Sequence, residues 1–243
     1  LFRSAAYIYK FEMRREVKKL FLQACMNHGS LSLEQISEIL EPISQSYDDT
    51  AILGDVKNLV KEINSDLKEC NQELKFVKHP LLGKEYLVFG LTFETPASKL
   101  QHHYREADQL YFAKLVETMA VQEDYGISWV DMYNLPNLPP TVKKDLTKRR
   151  VQDLITKWTQ QGYFLEKDDK LFFGPRMLVE YASHLKTHFS DYIKDCPLCK
   201  NVVLWDIKCD RCEIKVHKEC IRTFLKRKSN CPSCKQVWTT PLN

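Results

Sequence analysis

Hydrophobic positions recur every three or four residues along residues 12–27, where Met13, Val17, Leu20, Phe21, Ala24 and Cys25 mark one side of a helix and Gly29 follows as a stop. A second short helix is predicted over residues 30–40, capped by Ser32, with Leu33, Ile36, Ile39 and Leu40 as its stripe and Pro42 as its end. A third covers residues 50–67, facing Ile52, Val56, Leu59, Val60, Ile63 and Leu67 inward. The period then changes. Residues 74–77 and 85–89 flank His79-Pro80-Leu81-Leu82-Gly83 and read as two strands joined by a turn.

The order repeats further along. Leu110, Phe112, Leu115, Val116 and Met119 predict a helix over residues 110–119, and a short helix over residues 129–135 ends at Pro136. Thr141 is placed to cap a long helix reaching Trp158, with Val142, Leu146, Val151, Leu154, Ile155 and Trp158 facing inward and Gly162 beyond its end. Residues 163–166 and 170–173, joined at Lys167-Asp168-Asp169, form another hairpin, and Gly174-Pro175 closes it. Three helices followed by a hairpin, twice over, is the order of a winged-helix unit, with the hairpin as the wing and the helix before it at the recognition position. A further helix over residues 177–192 leads out of the second unit. The expectation is an α+β chain with tandem winged-helix domains at 1–100 and 101–190, followed by a small cysteine-rich domain at 191–243.

Composition narrows the setting. With 44% hydrophobic and 28% charged residues the 243-residue chain can build cores, and seven glycines and ten prolines leave little room for low-complexity tracts. No run approaches ~18 apolar residues, so no membrane span is expected. The N-terminal segment LFRSAAYIYK lacks a signal-peptide pattern and does not begin with methionine, which leaves room for residues upstream. A net charge of +4 permits contact with nucleic acid without demanding it.

Seven of the nine cysteines fall between Cys196 and Cys234, whereas Cys25 and Cys70 lie on predicted helices and are expected to pack. Paired C-x-x-C cysteines without a secretory signal point to metal ligands in a reducing compartment. The ligands in order are Cys196, Cys199, Cys209, Cys212, His217, Cys220, Cys231 and Cys234. Each pair sets its donors on one tight turn, and eight donors suffice for two closed tetrahedral sites, structural rather than catalytic. So short a module cannot build an adequate core, and each ion is expected to supply ~10 kcal/mol or more of folding energy. Sequential pairing would make two separate fingers. Interleaved pairing would join Cys196, Cys199, His217 and Cys220 in one site and Cys209, Cys212, Cys231 and Cys234 in the other. RING-type ubiquitin ligases and chromatin-reading PHD fingers share this ligand order. CPLC and CPSC, together with Ser229 where PHD fingers carry a tryptophan, favour the RING, so residues 191–243 are expected to form a small cross-braced two-zinc RING-type domain. His184 and His188 stand four apart on the preceding helix, but without a third ligand nearby they are expected to pack or face water.

Two helix-plus-hairpin units running into DCPLCKNVVLWDIKCDRCEIKVHKECI…NCPSC, with the GYFLEKDDKLFF hairpin and the GPR turn, resemble the non-SMC element 1 family. These are RING subunits of SMC five–six complexes, which maintain and repair chromosomes. The resemblance spans nearly the whole chain. It implies a body that docks on a MAGE-domain partner beside a kleisin-type subunit, a chromatin-associated nuclear location, and ubiquitin-protein ligase activity. A RING makes no covalent bond to ubiquitin; it orients a charged ubiquitin-conjugating enzyme for attack by lysine. By analogy with RING modules, Leu198 and Pro232 would form the apolar contact with that enzyme, and Lys235 would bridge to ubiquitin. Phe224 is a further expected contact with that enzyme, in the segment where many active RINGs carry a tryptophan, and the absence of that tryptophan implies that a partner completes the active form. Leu198 and Phe224 could equally serve the module's small core. The alternative function is a non-catalytic, zinc-stabilised scaffold that also contributes to DNA binding. Lys143, Lys144, Lys148, Arg149 and Arg150 line the second recognition position as candidate contacts to double-stranded DNA.

Overall fold

A computed structural model of the chain describes residues 2–47, 51–91, 104–205 and 207–242, with side chains from Glu12 onward except those of Ala51 and Leu91. The expected domain boundary near residue 100, and Thr50 at the start of the third predicted helix, lie outside the described residues.

The first unit begins with helix α1 (Phe2–His28), which buries Val17, Phe21 and Cys25 at four-residue spacing. Leu20, expected on that face, is exposed, because one turn of helix cannot aim positions 20 and 21 at the same wall. Gly29 ends α1 at φ +70° and leads into a short strand, β1 (Ser30–Ser32). Helix α2 (Leu33–Ser46) starts at Ser32, whose hydroxyl accepts from the Gln35 N–H while the Gln35 side chain accepts from the Ser32 N–H. Leu33 is consequently first-turn and exposed rather than part of the stripe. Pro42 does not end α2: the helix runs four residues past it, because Pro42 sits on the exposed side while Ile36, Leu40 and Ser44 anchor the other.

The predicted third helix is two, α3 (Ala51–Gly54) and α4 (Val56–Leu67). Asp55 separates them and caps α4, accepting from the Asn58 N–H at 3.1 Å. A single 3-10 turn (Lys68–Cys70) precedes strands β2 (Gln72–Lys78) and β3 (Glu85–Leu91), which pair antiparallel from Gln72↔Leu91 to Lys78↔Glu85. β1 pairs with the other side of β3, so the sheet order is β1-β3-β2.

The second unit repeats this plan. Helix α5 (Glu106–Ala120) precedes strand β4 (Gly126–Ser128) and helix α6 (Trp129–Tyr133). The long helix expected from Thr141 to Trp158 is broken into α7 (Pro140–Asp145) and α8 (Lys148–Gln160). Thr147 makes the break by capping α8, its hydroxyl accepting from the Arg150 N–H. Strands β5 (Phe164–Lys167) and β6 (Lys170–Phe173) form the wing, with Asp168 and Asp169 both at positive φ as a two-residue hairpin turn requires. β4 closes the sheet as β4-β6-β5. The core gathers Trp158, Tyr111, Phe164, Phe173, Leu115 and Ile155, while Leu110, expected inside, is exposed. The helix expected over residues 177–192 is two short ones, α9 (Pro175–Glu180) and α10 (Ala182–His188), meeting at Tyr181. Among the described residues no helix is long and apolar enough to cross a membrane.

The units dock through their helix-ending glycines. A Cβ on Gly29 would stand 2.6 Å from the Gln161 carbonyl oxygen, and one on Gly162, at φ +79°, would stand 2.1 Å from the Ser30 hydroxyl. Each glycine therefore serves both its own helix end and the close approach of the other unit.

The cysteine-rich module follows with two short ribbons and one helix. Strand β7 (Lys194–Asp195) pairs with β8 (Val202–Val203), and β9 (Ile207–Lys208) pairs with β10 (Lys215–Val216). Helix α11 (Lys218–Leu225) packs on them.

Candidate metal centres

Three C-x-x-C segments fold into the same turn. The N–H of Cys196 donates to the Asn201 carbonyl (2.9 Å) and the Lys200 N–H donates back to the Cys196 carbonyl (2.8 Å). Cys209 repeats this with Ile214 and Glu213, and Cys231 with Gln236 and Lys235. The residue after each second cysteine, Lys200, Glu213 and Lys235, takes a left-handed φ of 65°, 55° and 62°. That bend brings the chain back and points both thiols of a pair to one side.

The donors converge in two groups, Cys196–Cys199–His217–Cys220 and Cys209–Cys212–Cys231–Cys234, with the ligating atoms of each group within 4.8 Å of one another. Pairing is therefore interleaved, and sequential fingers are ruled out. The first C-x-x-C turn shares its centre with His217 and Cys220, and the second shares its own with the third, which braces the module around Cys196, Val203, Val216 and Ile221.

Each group suits a tetrahedral ion of borderline softness. His217 turns Nδ1 toward the thiols, 3.2 Å from Cys199 Sγ and 3.8 Å from Cys220 Sγ. Its Nε2 lies 2.9 Å from the Val202 carbonyl, so the N–H belongs on Nε2 and the lone pair on Nδ1 faces the centre. Val202 thus selects the tautomer a metal needs. Thiol ionisation is uneven without an ion. Burial pushes Cys220 up to about 12 and Cys231 to about 11. At Cys196 burial is outweighed by surrounding backbone N–H groups and the thiol sits at about 7; at Cys212 the Ile214 N–H holds it at about 7. Eight donors packed this way ask for positive charge at each centre.

The residues expected to meet a conjugating enzyme all lie on this module. Leu198 and Pro232 are half-buried on the first and third C-x-x-C turns. Leu198 and Phe224 rest against the module's core while keeping part of their surface open, so core packing and surface exposure coexist in both. Lys235 is exposed and its Nζ donates to the Pro232 carbonyl at 2.7 Å.

On α7 and α8, Lys143, Lys144, Lys148 and Arg149 are exposed. Arg150 is directed elsewhere. Its guanidinium donates through Nε to Asp108 Oδ1 at 3.1 Å and through a second nitrogen to Asp108 Oδ2. Asp108 is buried, and a buried carboxylate demands such a partner, so Arg150 is committed within the fold. His184 and His188 stack on each other at 4.1 Å, and the His188 Nδ1–H donates to the His184 carbonyl at 3.1 Å.

The junction with the body escaped the sequence reading. Leu204 is buried in the second unit's core and Trp205 packs against it, its indole N–H donating to the Asp124 carbonyl. Lys215 donates to the Tyr125 hydroxyl at 2.6 Å, and that hydroxyl donates to the Tyr192 carbonyl at 3.1 Å. His79, fully buried in the first unit's turn, places Nε2 2.9 Å from the Phe173 carbonyl of the second, with its ring 5.3 Å from Trp205 of the module. One side chain thus touches all three domains.

The model of the family described as the Nse1 non-SMC component of the SMC5-6 complex matches residues 18–134, and a RING-like domain model matches residues 196–234. The chain is 42% identical over 228 residues to the non-structural maintenance of chromosomes element 1 homolog of Drosophila melanogaster, spanning 93% of this chain and 97% of that protein. The Homo sapiens protein of the same name is 22% identical over 226 residues, 92% of this chain and 84% of its own. A chain of a solved Nse1-Nse3-Nse4 complex superposes with a TM-score of 0.75 at 19% identity, covering 93% of this chain and 97% of that one, a likeness of fold.

Proposed function

Because the chain belongs to the Nse1 family of SMC5-6 components, we propose that it is a RING-type ubiquitin ligase subunit of such a complex, and that the two centres hold structural zinc. The observation that carries this is the interleaved donor pairing, which leaves Leu198 and Pro232 half-exposed on the first and third turns. Bound zinc supplies the charge that lets the thiols ionise together, and with it the folding energy of the module. Leu198 and Pro232 dock the charged conjugating enzyme through apolar contact. Lys235, held over the third turn by the Pro232 carbonyl, releases that contact to reach ubiquitin. Catalysis is by orientation, since ubiquitin restrained against its carrier meets lysine in a reactive geometry more often. Cys25 takes no part: it is buried and its thiol is pushed up to about 12 by burial, which leaves almost no thiolate.

The solved relative's complex contains Nse3 and Nse4. The reading extends to equivalent MAGE-domain and kleisin-type partners on the winged-helix body, and to a nuclear, chromatin-associated setting. A single-turnover assay of ubiquitin discharge onto free lysine tests it, using the chain assembled with both partners. Leu198→Ala and Pro232→Ala should each slow discharge by about tenfold or more, ~1.4 kcal/mol, with zinc content unchanged. Equal rates for wild type and both variants across a broad panel of conjugating enzymes would instead support a scaffold.

The exposed set Lys143, Lys144, Lys148 and Arg149 favours a second role, contact with duplex DNA. Its affinity should fall steeply between two salt concentrations, and the slope should shrink by about one for each phosphate contact removed. A slope unchanged in Lys148→Gln and Arg149→Gln variants would exclude it.

A further inference from the structure

Sheet order β1-β3-β2 leaves β2 on the outside of the first unit's sheet. Leu74 turns its backbone away from β3, and the Asn64 side chain satisfies both groups, accepting from the Leu74 N–H at 2.7 Å and donating to its carbonyl at 2.8 Å. Asn64 stands in for a missing neighbouring strand. His79, of opposite parity, donates its N–H to the Lys84 carbonyl across the hairpin at 2.8 Å. Alternation along an antiparallel strand then sends the N–H and C=O of Phe76 and Lys78 outward, on the same side as those of Leu74. Among the described residues no backbone or side-chain group answers them.

That edge opens into a cleft of about 670 Å³ between the first unit, α9 and α10, and the zinc module. Residues 75–78 of β2 all line it, followed by His79, and since successive strand side chains alternate faces, four in a row mean that the strand's edge forms the wall. Leu178 and Val179 supply apolar floor, and α11 forms the far wall. The charged lining is Lys75, Lys78, Lys218 and Arg222 against Glu219. Glu219 is already held by Lys78 at 3.3 Å and Arg222 at 2.8 Å. The adjoining centre, with three thiolates and a divalent ion, would carry one net negative charge and leaves the cleft positive.

We propose that this cleft binds an extended acidic segment of a protein partner, which adds to β2 as a fourth strand. Acidic side chains of the segment meet Lys75, Lys78 and Arg222, and its alternate apolar side chains meet the floor. Its backbone N–H and C=O groups pair with those of Phe76 and Lys78. Nucleic acid fits less well, because phosphates offer acceptors only and cannot satisfy the two outward carbonyls. Lysines along the edge also repel a second copy of the same strand while admitting an acidic one. The proposal is independent of the ligase reading.

The test uses the zinc-loaded full chain. A displayed library of random peptides long enough to span β2 should yield binders that alternate acidic with aliphatic residues. A synthetic copy of the strongest binder should slow hydrogen exchange at the amides of Phe76 and Lys78 in the wild-type chain. Arg222→Glu should weaken it severalfold. Lys78→Pro, which removes an outward N–H as well as the side chain, should weaken it more than Lys78→Ala, which removes the side chain alone. The proposal is overturned if no peptide is recovered, if the binders are basic or lack alternation, or if those two amides are not slowed. It is also overturned if a DNA duplex, added as the alternative probe, protects the same amides. The exchange measurement stands on the wild-type chain, whatever the folding of the proline variant.

Discussion

Trp158 in the second winged-helix unit lies within ring contact of Tyr104, Tyr111, Phe112 and Phe164. The cysteine-rich module's own cluster buries Val203, Val216 and Ile221 beside a candidate metal donor, Cys196. The first region has enough apolar contact to fold by burial, and its stability should decline by degrees as side chains are trimmed. The second replaces core volume with two centres, so its order should be close to all-or-none in the metal. The regions are nevertheless joined through Leu204, Trp205 and His79, which makes the module part of the body's surface rather than a pendant.

Removing zinc tests the contrast most severely, with ~10 kcal/mol or more of folding energy at stake per site. Exchange measured along the chelated chain should show protection lost over residues 207–231 and kept in α5 and α8. Simultaneous loss throughout would mean that the body depends on the module. Reloading should weaken as pH falls, because Cys220 at about 12 and Cys231 at about 11 must surrender protons to bind.

Trp158→Ala should cost about 3–5 kcal/mol in denaturant unfolding, the usual range for emptying an aromatic core site. Zinc content should stay unchanged in that variant, and a loss of metal would show that the two regions fold as one.

A smaller effect is expected at their junction. His79→Leu leaves the Phe173 carbonyl without its donor and should cost about 1–3 kcal/mol near neutral pH. Burial lowers the His79 pKa, so the unfolded chain binds a proton there before the folded one does. Stability from this group is therefore complete above the unfolded value of about 6.5 and is lost as pH falls toward the folded value. The gap between wild type and variant should narrow from about pH 7.5 to about pH 5.5. A gap that stays constant would mean that His79 does not titrate in the junction.

Period and punctuation made much of the body legible. Gly29 and Gly162 end their helices, Ser32 caps α2, and both hairpins fall where the period changes from helix to strand. The breaks at Asp55 and Thr147 did not show, because the apolar stripe continues across each in register. Their signal was the capping side chain itself. β1 and β4 are too short to display alternation, and their place depends on pairing with β3 and β6 far along the chain. Cysteine spacing named all eight donors but left two pairings open, since each C-x-x-C turn is local and the choice between partners is not. Nothing in composition marks the Val202 carbonyl that orients His217, or the meeting of His79 with Trp205.

The braced module, its shared core and the proposed enzyme contact all depend on the interleaving of the two centres. Cobalt substitution of a Cys199→Ser variant tests that directly, because tetrahedral cobalt absorbs differently with four thiolates than with three and an imidazole. The account predicts that the surviving centre is Cys209, Cys212, Cys231 and Cys234 and gives the four-thiolate spectrum. A surviving three-thiolate, one-imidazole spectrum would mean sequential fingers and would contradict it.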